Sequence, residues 1–338
     1  MTKVGVIGLG MGQAHLKGYS DIADVEILGI ADIDPRRLST CAEQYRIKHA
    51  LADYRDLLAL PGLEAVSVCL PNHLHGPVTV EALKAGLHVL VEKPMAKSVA
   101  DAQSMVDAAE ATGKTLAVSL NYRWSLQPES FFLKQLIERG QFGEIYYVRT
   151  QSLRRRTSMP ATSWFRQKQL SGGAAARDMG PHMLDLAMWL ADDYNAERVS
   201  GETRTMIMTD SDVDDFAAGL IHLTGGCTIM LESTWASFTK PACAVSVFGS
   251  KGGAILDLAA SKENRLTLYG KEGDTYVETH PVEVLLAEPP EPSIQAHFVN
   301  CLRTGRTPDT SAERGLAEMK VLDALYGSSE QRREIVIT

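Results

Sequence analysis

The chain has 338 residues, 45% hydrophobic and 22% charged, a balance typical of globular proteins and enough length for two domains. A formal net charge of −8, from 34 basic and 42 acidic residues, argues against broad electrostatic attraction to nucleic acid or to an anionic membrane surface. No apolar run approaches the ~18 residues of a membrane span, and a strand-like run begins at Val4 with no room for a leader before it, so a cytoplasmic protein is expected. The five cysteines (Cys41, Cys69, Cys227, Cys243, Cys301) lie far apart without a C-x-x-C pair and read as reduced thiols; no metal site is expected.

In chain order, β-rich runs at 4–7, 25–31, 65–70, 88–91 and 116–120 alternate with helical stretches at 12–19, 35–45, 54–60, 76–84 and 99–112. This rhythm predicts a parallel sheet with helices on both faces, and the nearly continuous apolar runs suit strands buried on two sides. Pro35 after Asp34 marks a helix start, and Gly86 and Gly113 mark helix ends. Past Asn121 the pattern changes. A helix at 128–139 and a strand at 144–152 lead to a helix ending near 191. Strand-like runs follow at 199–208, 217–223, 227–236, 242–249, 254–258, 265–269 and 275–279, with Gly225-Gly226 as a hairpin turn between two of them. Strands without intervening helices predict a mostly antiparallel sheet. Helices at 293–303 and 312–326 close the chain. The fold class is therefore α/β, an N-terminal doubly wound parallel sheet followed by an α+β region with a large, mostly antiparallel sheet.

The first strand runs into Gly8-Leu9-Gly10-Met11-Gly12-Gln13-Ala14-His15. Glycines there expose the amides of a helix N-terminus, where a pyrophosphate can sit. Gln13 occupies the usual place of the third glycine. Asp32, at the end of the second strand, can accept both ribose hydroxyls, and its charge repels a 2′-phosphate. Arg36 and Arg37 lie just beyond and could pair with such a phosphate, so NAD is favoured and NADP stays open. Ligands of open parallel sheets bind beyond the carboxyl ends of the strands. Three polar clusters follow strands there: Pro71-Asn72-His73-Leu74-His75, Glu92-Lys93-Pro94 and Asn121-Tyr122-Arg123. Lys93, pinned between a strand and a proline, can donate to a substrate oxygen. In the second half, Asp178, His182 and Asp185 recur at i, i+4 and i+7 on an otherwise apolar helix, which suggests proton transfer. The alternative reading puts Pro181 in the first helical turn and makes Asp178 a cap.

These motifs, in this order along nearly the whole chain, resemble the glucose–fructose oxidoreductase / inositol dehydrogenase (Gfo/Idh/MocA) family. The resemblance implies a Rossmann domain over 1–122 and a substrate-binding and oligomerisation domain over 123–338, with dimers or tetramers packed through the open sheet. It implies that Lys93, Asp178 and His182 surround a reacting carbinol and that the Lys93–Pro94 peptide is cis. Cofactor contacts are implied at Gly8, Leu9, Gly10, Met11, Gly12, Asp32, Arg37, Pro71, Asn72, His75, Glu92, Lys93 and Asn121. Substrate contacts are implied at Lys93, Arg123, Arg156, Trp164, Asp178 and His182. The activity implied is reversible hydride transfer between NAD, or NADP, and a secondary alcohol of a sugar or cyclic polyol. An NADPH-dependent keto-sugar reductase, an NAD-dependent glycosidase and a nucleotide-sensing regulator are the rival readings. Arg154 and Arg155 could meet a substrate carboxylate or phosphate, or form a solvated strand end, and Trp235 is as easily a core residue as a sugar platform. The chain departs from the family's usual Gly-Gly-Gly run at Ala174.

Overall fold

The computed structural model describes residues 1–155, 159–160, 162–281, 284 and 290–337. The chain divides into two compact units, one of Met1–Leu120 with Glu291–Leu316 and one of Asn121–Pro290 with Ala317–Thr338.

In the first unit the chain runs β1 (Thr2–Ile7), α1 (Gly12–Ser20), β2 (Val25–Ala31), α2 (Pro35–Tyr45), β3 (His49–Leu51), α3 (Tyr54–Leu58), β4 (Ala65–Val68), α4 (Asn72–Lys84), β5 (His88–Glu92), α5 (Val99–Thr112) and β6 (Leu116–Ser119). Among the described residues these strands form one parallel sheet in the order β3-β2-β1-β4-β5-β6. The order reverses between β1 and β4, so the carboxyl ends of these two strands open the crevice in which such sheets bind ligands. The helix signals act as their chemistry dictates. The Asp34 carboxylate accepts the amides of Arg36 and Arg37 at 2.9 and 3.4 Å ahead of α2, and Gly113 closes α5 at φ 64°. Strand β3 was not anticipated, because its three residues are largely solvated and carry no apolar run.

The second unit opens with α6 (Tyr122–Ser125), α7 (Glu129–Glu138), β7 (Ile145–Leu153), α8 (Lys168–Ser171) and α9 (Ala175–Ala191). Then come β8 (Ala196–Arg204), β9 (Phe216–Leu223), β10 (Thr228–Thr234), β11 (Ala242–Gly249), β12 (Gly253–Asp257), β13 (Leu266–Glu272) and β14 (Thr275–Thr279). The chain returns to the first unit with α10 (Ile294–Thr304), passes back through α11 (Ala312–Gln331) and ends at β15 (Ile335–Val336). The large sheet is ordered β14-β13-β12-β11-β7-β10-β9-β8-β15 among the described residues, antiparallel except for the β7–β10 pair. One face is covered by α9, whose Met183, Leu184, Leu186, Ala187 and Leu190 are buried in one cluster with Val148, Ile221, Ile229, Leu231 and Val245 of the sheet. Gly226, at φ 92°, makes the tight β9–β10 turn expected of the glycine pair. The segment 291–316, read from sequence as part of the second domain, packs on the first unit. There Gln295 lies against Gly18, and Val118 donates its amide to Thr310 at 2.9 Å.

The N-terminus of α9 is built without a capping side chain of its own. Asp214 supplies the acceptors instead, taking the amides of Ala174 and Ala176 at 2.7 and 2.8 Å and the Tyr326 hydroxyl at 2.6 Å. Gly173 sits at φ 146°, where only glycine is comfortable, whereas Ala174 has φ −128°. The third glycine of the family's run is therefore not required by the backbone here.

Gly201 and Gly219 face each other across β8 and β9 and leave a groove that receives Leu325 of α11; a Cβ on Gly219 would lie 2.6 Å from Leu325 Cδ1. Gly219→Ala should therefore cost about 1–3 kcal/mol by overpacking. Shortening Leu325 to Ala in the same chain should make the pair less destabilised than the sum of the singles, read from urea midpoints. Additive losses would contradict this packing.

Candidate active site

At the carboxyl end of β1 the three glycines do three different jobs. Gly8 turns the chain at φ 85°, and a Cβ there would lie 2.5 Å from the Cys69 carbonyl oxygen. Gly12 lets α1 close on β1, since a Cβ would lie 2.8 Å from Val6 Cγ1. Gly10 is exposed, and its missing Cβ faces only Arg37 Nη1 at 3.6 Å, so the backbone is bare where a pyrophosphate would approach. The role usually held by the third glycine has thus moved to Gly12, which explains how Gln13 is tolerated. Helix α1 begins with no side chain on its first amides, which leaves its N-terminus open to an anion.

Asp32 borders this turn. Its carboxylate accepts the Leu9 amide at 2.6 Å and the Asp34 amide at 2.8 Å, and Arg37 Nη2 lies 3.3 Å away. Arg37 also pairs with Asp34 at 3.4 Å. The guanidinium is thus shared between two carboxylates, which weakens its offer to a 2′-phosphate. Open glycine backbone, bare helix amides and the acid beside them together fit a dinucleotide with an unmodified ribose.

Beyond β4 and β5 the polar residues hold the loops. His75, buried, points one ring nitrogen at the Pro94 carbonyl (2.8 Å) and the other at the Leu70 carbonyl (2.6 Å). Burial pushes its pKa below the ordinary imidazole value, and the two carbonyls pull less strongly the other way. His75 therefore clasps two loops from within, which corrects its reading as a cofactor contact. Glu92 is engaged by His15 Nε2 at 2.9 Å and by the Lys93 amide at 3.1 Å. His15 also meets Ser67 at 2.9 Å, so α1, β4 and β5 are stitched together beneath the turn. His15 was passed over in the sequence; its only signal was a polar residue on the inner face of α1. Pro71 and Asn72 begin α4, with Asn72 buried, and Leu9 and Met11 lie in the glycine turn. Lys93 is half-buried, and its peptide to Pro94 is cis as expected.

In the second unit, α9 includes Asp178, His182 and Asp185 together, with Pro181 well inside the helix, so Asp178 is not a cap. Asp178 Oδ2 accepts from Trp235 Nε1 at 3.0 Å and from Arg154 Nη1 at 3.3 Å. Trp235 is buried and serves as a donor to the acid rather than as a sugar platform. Arg154, partly exposed at the end of β7, lies on Asp178 and Met179. The His182 ring stacks on Tyr122, with centroids 4.1 Å apart and planes within 7°. Burial raises the Tyr122 phenol well above its usual pKa, so it stays neutral. Tyr122 and Trp235 were missed as supports because their partners lie about 60 residues away in the chain.

Arg123 is the clear correction. Its side chain is only 1% exposed and makes a two-pronged ion pair with Asp185, with Nε donating at 2.8 Å, and it also reaches the Tyr194 hydroxyl. A guanidinium committed in this way belongs to the core and is withdrawn from the substrate set, as Asp185 is from proton transfer. Trp164 stacks on Phe165 at 3.8 Å and is half-buried. Asn121 keeps its Oδ1 shielded from solvent without a partner among the described residues, an acceptor suited to a ligand N–H. Arg156 lies outside the described residues.

A glycine-lined dinucleotide turn in one unit, and an acid and an imidazole one helical turn apart in the other, define an oxidoreductase of the nicotinamide-dependent class. Residues 2–120 match the oxidoreductase family with an NAD-binding Rossmann fold, and residues 132–255 match the Gfo/Idh/MocA C-terminal domain; the chain belongs to the Gfo/Idh/MocA family. It is 28% identical to D-glucoside 3-dehydrogenase of Escherichia coli, over 97% of this chain and 95% of that one. It is 25% identical to myo-inositol 2-dehydrogenase of Thermotoga maritima, over 98% of each. Levoglucosan dehydrogenase in complex with NADH has the same fold, with a TM-score of 0.87, 22% identity, and coverage of 100% of this chain and 99% of that one. Among the described residues no helix is long and apolar enough to cross a membrane.

Replacing Asp32 by Ser should weaken NADH binding on the order of tenfold and narrow its advantage over NADPH, measured by cofactor fluorescence titration. Unchanged affinities for both would remove Asp32 from the ribose site.

Proposed function

We propose that the protein oxidises a secondary alcohol of a sugar or cyclic polyol, reversibly, with NAD. The observation that carries this reading is the Asp178–His182 pair on α9, buried and held from outside by Trp235, Arg154 and the Tyr122 ring. Bound NAD supplies the hydride acceptor. His182 takes the proton of the substrate hydroxyl as general base. The Lys93 ammonium donates to the same oxygen and stabilises the negative charge that builds there. Asp178 orients His182 or a neighbouring hydroxyl. Tyr122 fixes the plane of the imidazole by stacking. The nucleotide is assigned to the first unit and the alcohol to the second. The names of the relatives, a glucoside and an inositol dehydrogenase, support the substrate class.

A homo-oligomer belongs to the same reading. The face of the large sheet away from α9 exposes Tyr146, Phe248, Tyr269 and Tyr276 around an open hollow, an apolar surface suited to a second copy. Sedimentation should return a dimer or tetramer, and a monomer at micromolar concentration would reject this part. A cytoplasmic setting is supported by the five free cysteines.

A panel of sugars and polyols with NAD and NADP, followed by cofactor absorbance, tests the activity itself. With the best substrate, Lys93→Ala or His182→Ala should reduce turnover by roughly 10²-fold while NADH affinity stays near wild type. Tyr122→Phe, which keeps the stack, should retain far more activity than Tyr122→Leu, which loses it. Wild-type turnover in both alanine variants would sink the assignment.

A further inference from the structure

A second cavity lies in the same unit as Asp178 and His182, at the end of β7 and the start of β11, with a volume of about 320 Å³. That is the lower end of the size of small-molecule sites. Its walls include Tyr122, Arg154, Arg155, Met179, Pro241 and Cys243. Two of these residues already touch the proposed catalytic pair. Tyr122 is stacked on His182, and Arg154 bonds Asp178. A molecule reacting at His182 would therefore carry its nearby substituents towards this hollow.

The charge of the hollow is one-sided. Among the described residues no carboxylate lines it, and two guanidinium groups do. Asp178 meets one of these charges, that of Arg154, at 3.3 Å. Arg154 remains 41% exposed along its side chain. Arg155 is exposed; its Nε donates to the Thr239 carbonyl at 3.3 Å, and its terminal amino groups have no partner among the described residues. The two titratable walls add no negative charge, because burial raises both the Cys243 thiol and the Tyr122 phenol. Apart from Ser152, the remaining surface, from Leu153, Met179, Pro241, Ala242 and Ala259, is apolar and offers a neutral polyol few partners. A forked guanidinium recognises planar carboxylate and phosphate oxygens in pairs, and a hydroxyl gains much less from it.

We propose that this cavity is a specificity subsite for an anionic oxygen substituent of the substrate, the carboxylate of a sugar acid or the phosphate of a sugar phosphate, recognised by Arg155 together with Arg154. The inference rests on the dehydrogenase reading above and narrows its substrate class.

The test compares each neutral sugar or polyol of the panel with its carboxylate and phosphate derivatives, as kcat/KM for NAD reduction by the wild-type chain and by Arg155→Gln. For the wild type, one anionic arm should exceed its neutral parent on the order of tenfold, as a charge-assisted hydrogen bond warrants. Whichever arm does so identifies carboxylate or phosphate. In Arg155→Gln the ratio of anionic to neutral kcat/KM should fall by a similar factor, and the ratio cancels any general loss from the substitution. Turnover of neutral parents with no anionic preference, or a preference that survives in Arg155→Gln, overturns the subsite and leaves the dehydrogenase reading standing. No reduction of NAD by any member rejects that reading and the subsite with it.

Discussion

The second unit depends on a guanidinium that has no access to water. Arg123 and Asp185 are 1% and 0% exposed, and two charges taken out of solvent are tolerable only when their geometry is close and their other donors are met. The geometry meets the first condition, and the Nε and Nη2 donors meet the second. The pair is two-pronged, the Tyr194 hydroxyl joins it, and the Trp189 ring lies 4.9 Å from the guanidinium carbon. Removing one partner of such a pair typically costs about 3–5 kcal/mol. The consequence for the site is positional. The pair pins α6 to α9 at Asp185, and one residue earlier in α6 the Tyr122 ring meets His182, a turn earlier in α9. The imidazole is thus oriented by a stack whose placement is fixed by an ion pair buried beside it.

The nucleotide turn rests on a similar division between what faces a ligand and what holds the backbone behind it. Gly10 and the first amides of α1 are bare, while His15, Ser67 and Glu92 bind one another beneath them. Asp32 serves both purposes, accepting backbone amides of the turn with the carboxylate that would read the ribose. Preorganisation of this kind keeps binding from having to order the loop, which lowers its entropic cost.

Much of this was legible in the sequence where chemistry is local. The glycine turn, the cap at Asp34, the acid at Asp32 and the i, i+4 pair of Asp178 and His182 are set by spacings within one or two turns of chain, and the structure has the elements that those spacings require. Long-range partners were not legible. Arg123 follows a strand in a polar cluster and read as a ligand group, because nothing nearby announces that Asp185, 62 residues on, takes its charge. Likewise the carbonyls of Leu70 and Pro94 that close on the His75 ring are brought there by the fold of two loops, which no local pattern announces. Strand β3 escaped notice because a short, solvated edge strand needs no apolar pattern.

The central claim is that a carbinol hydrogen leaves as hydride for the nicotinamide while its hydroxyl proton goes to the protein. The most direct measurement uses the alcohol substrate deuterated at the reacting carbon, with mass analysis of the recovered cofactor. The account predicts that the label is found on the reduced nicotinamide, one atom per turnover. Deuterium lost to water, with product formed and no net labelled NADH, would contradict it.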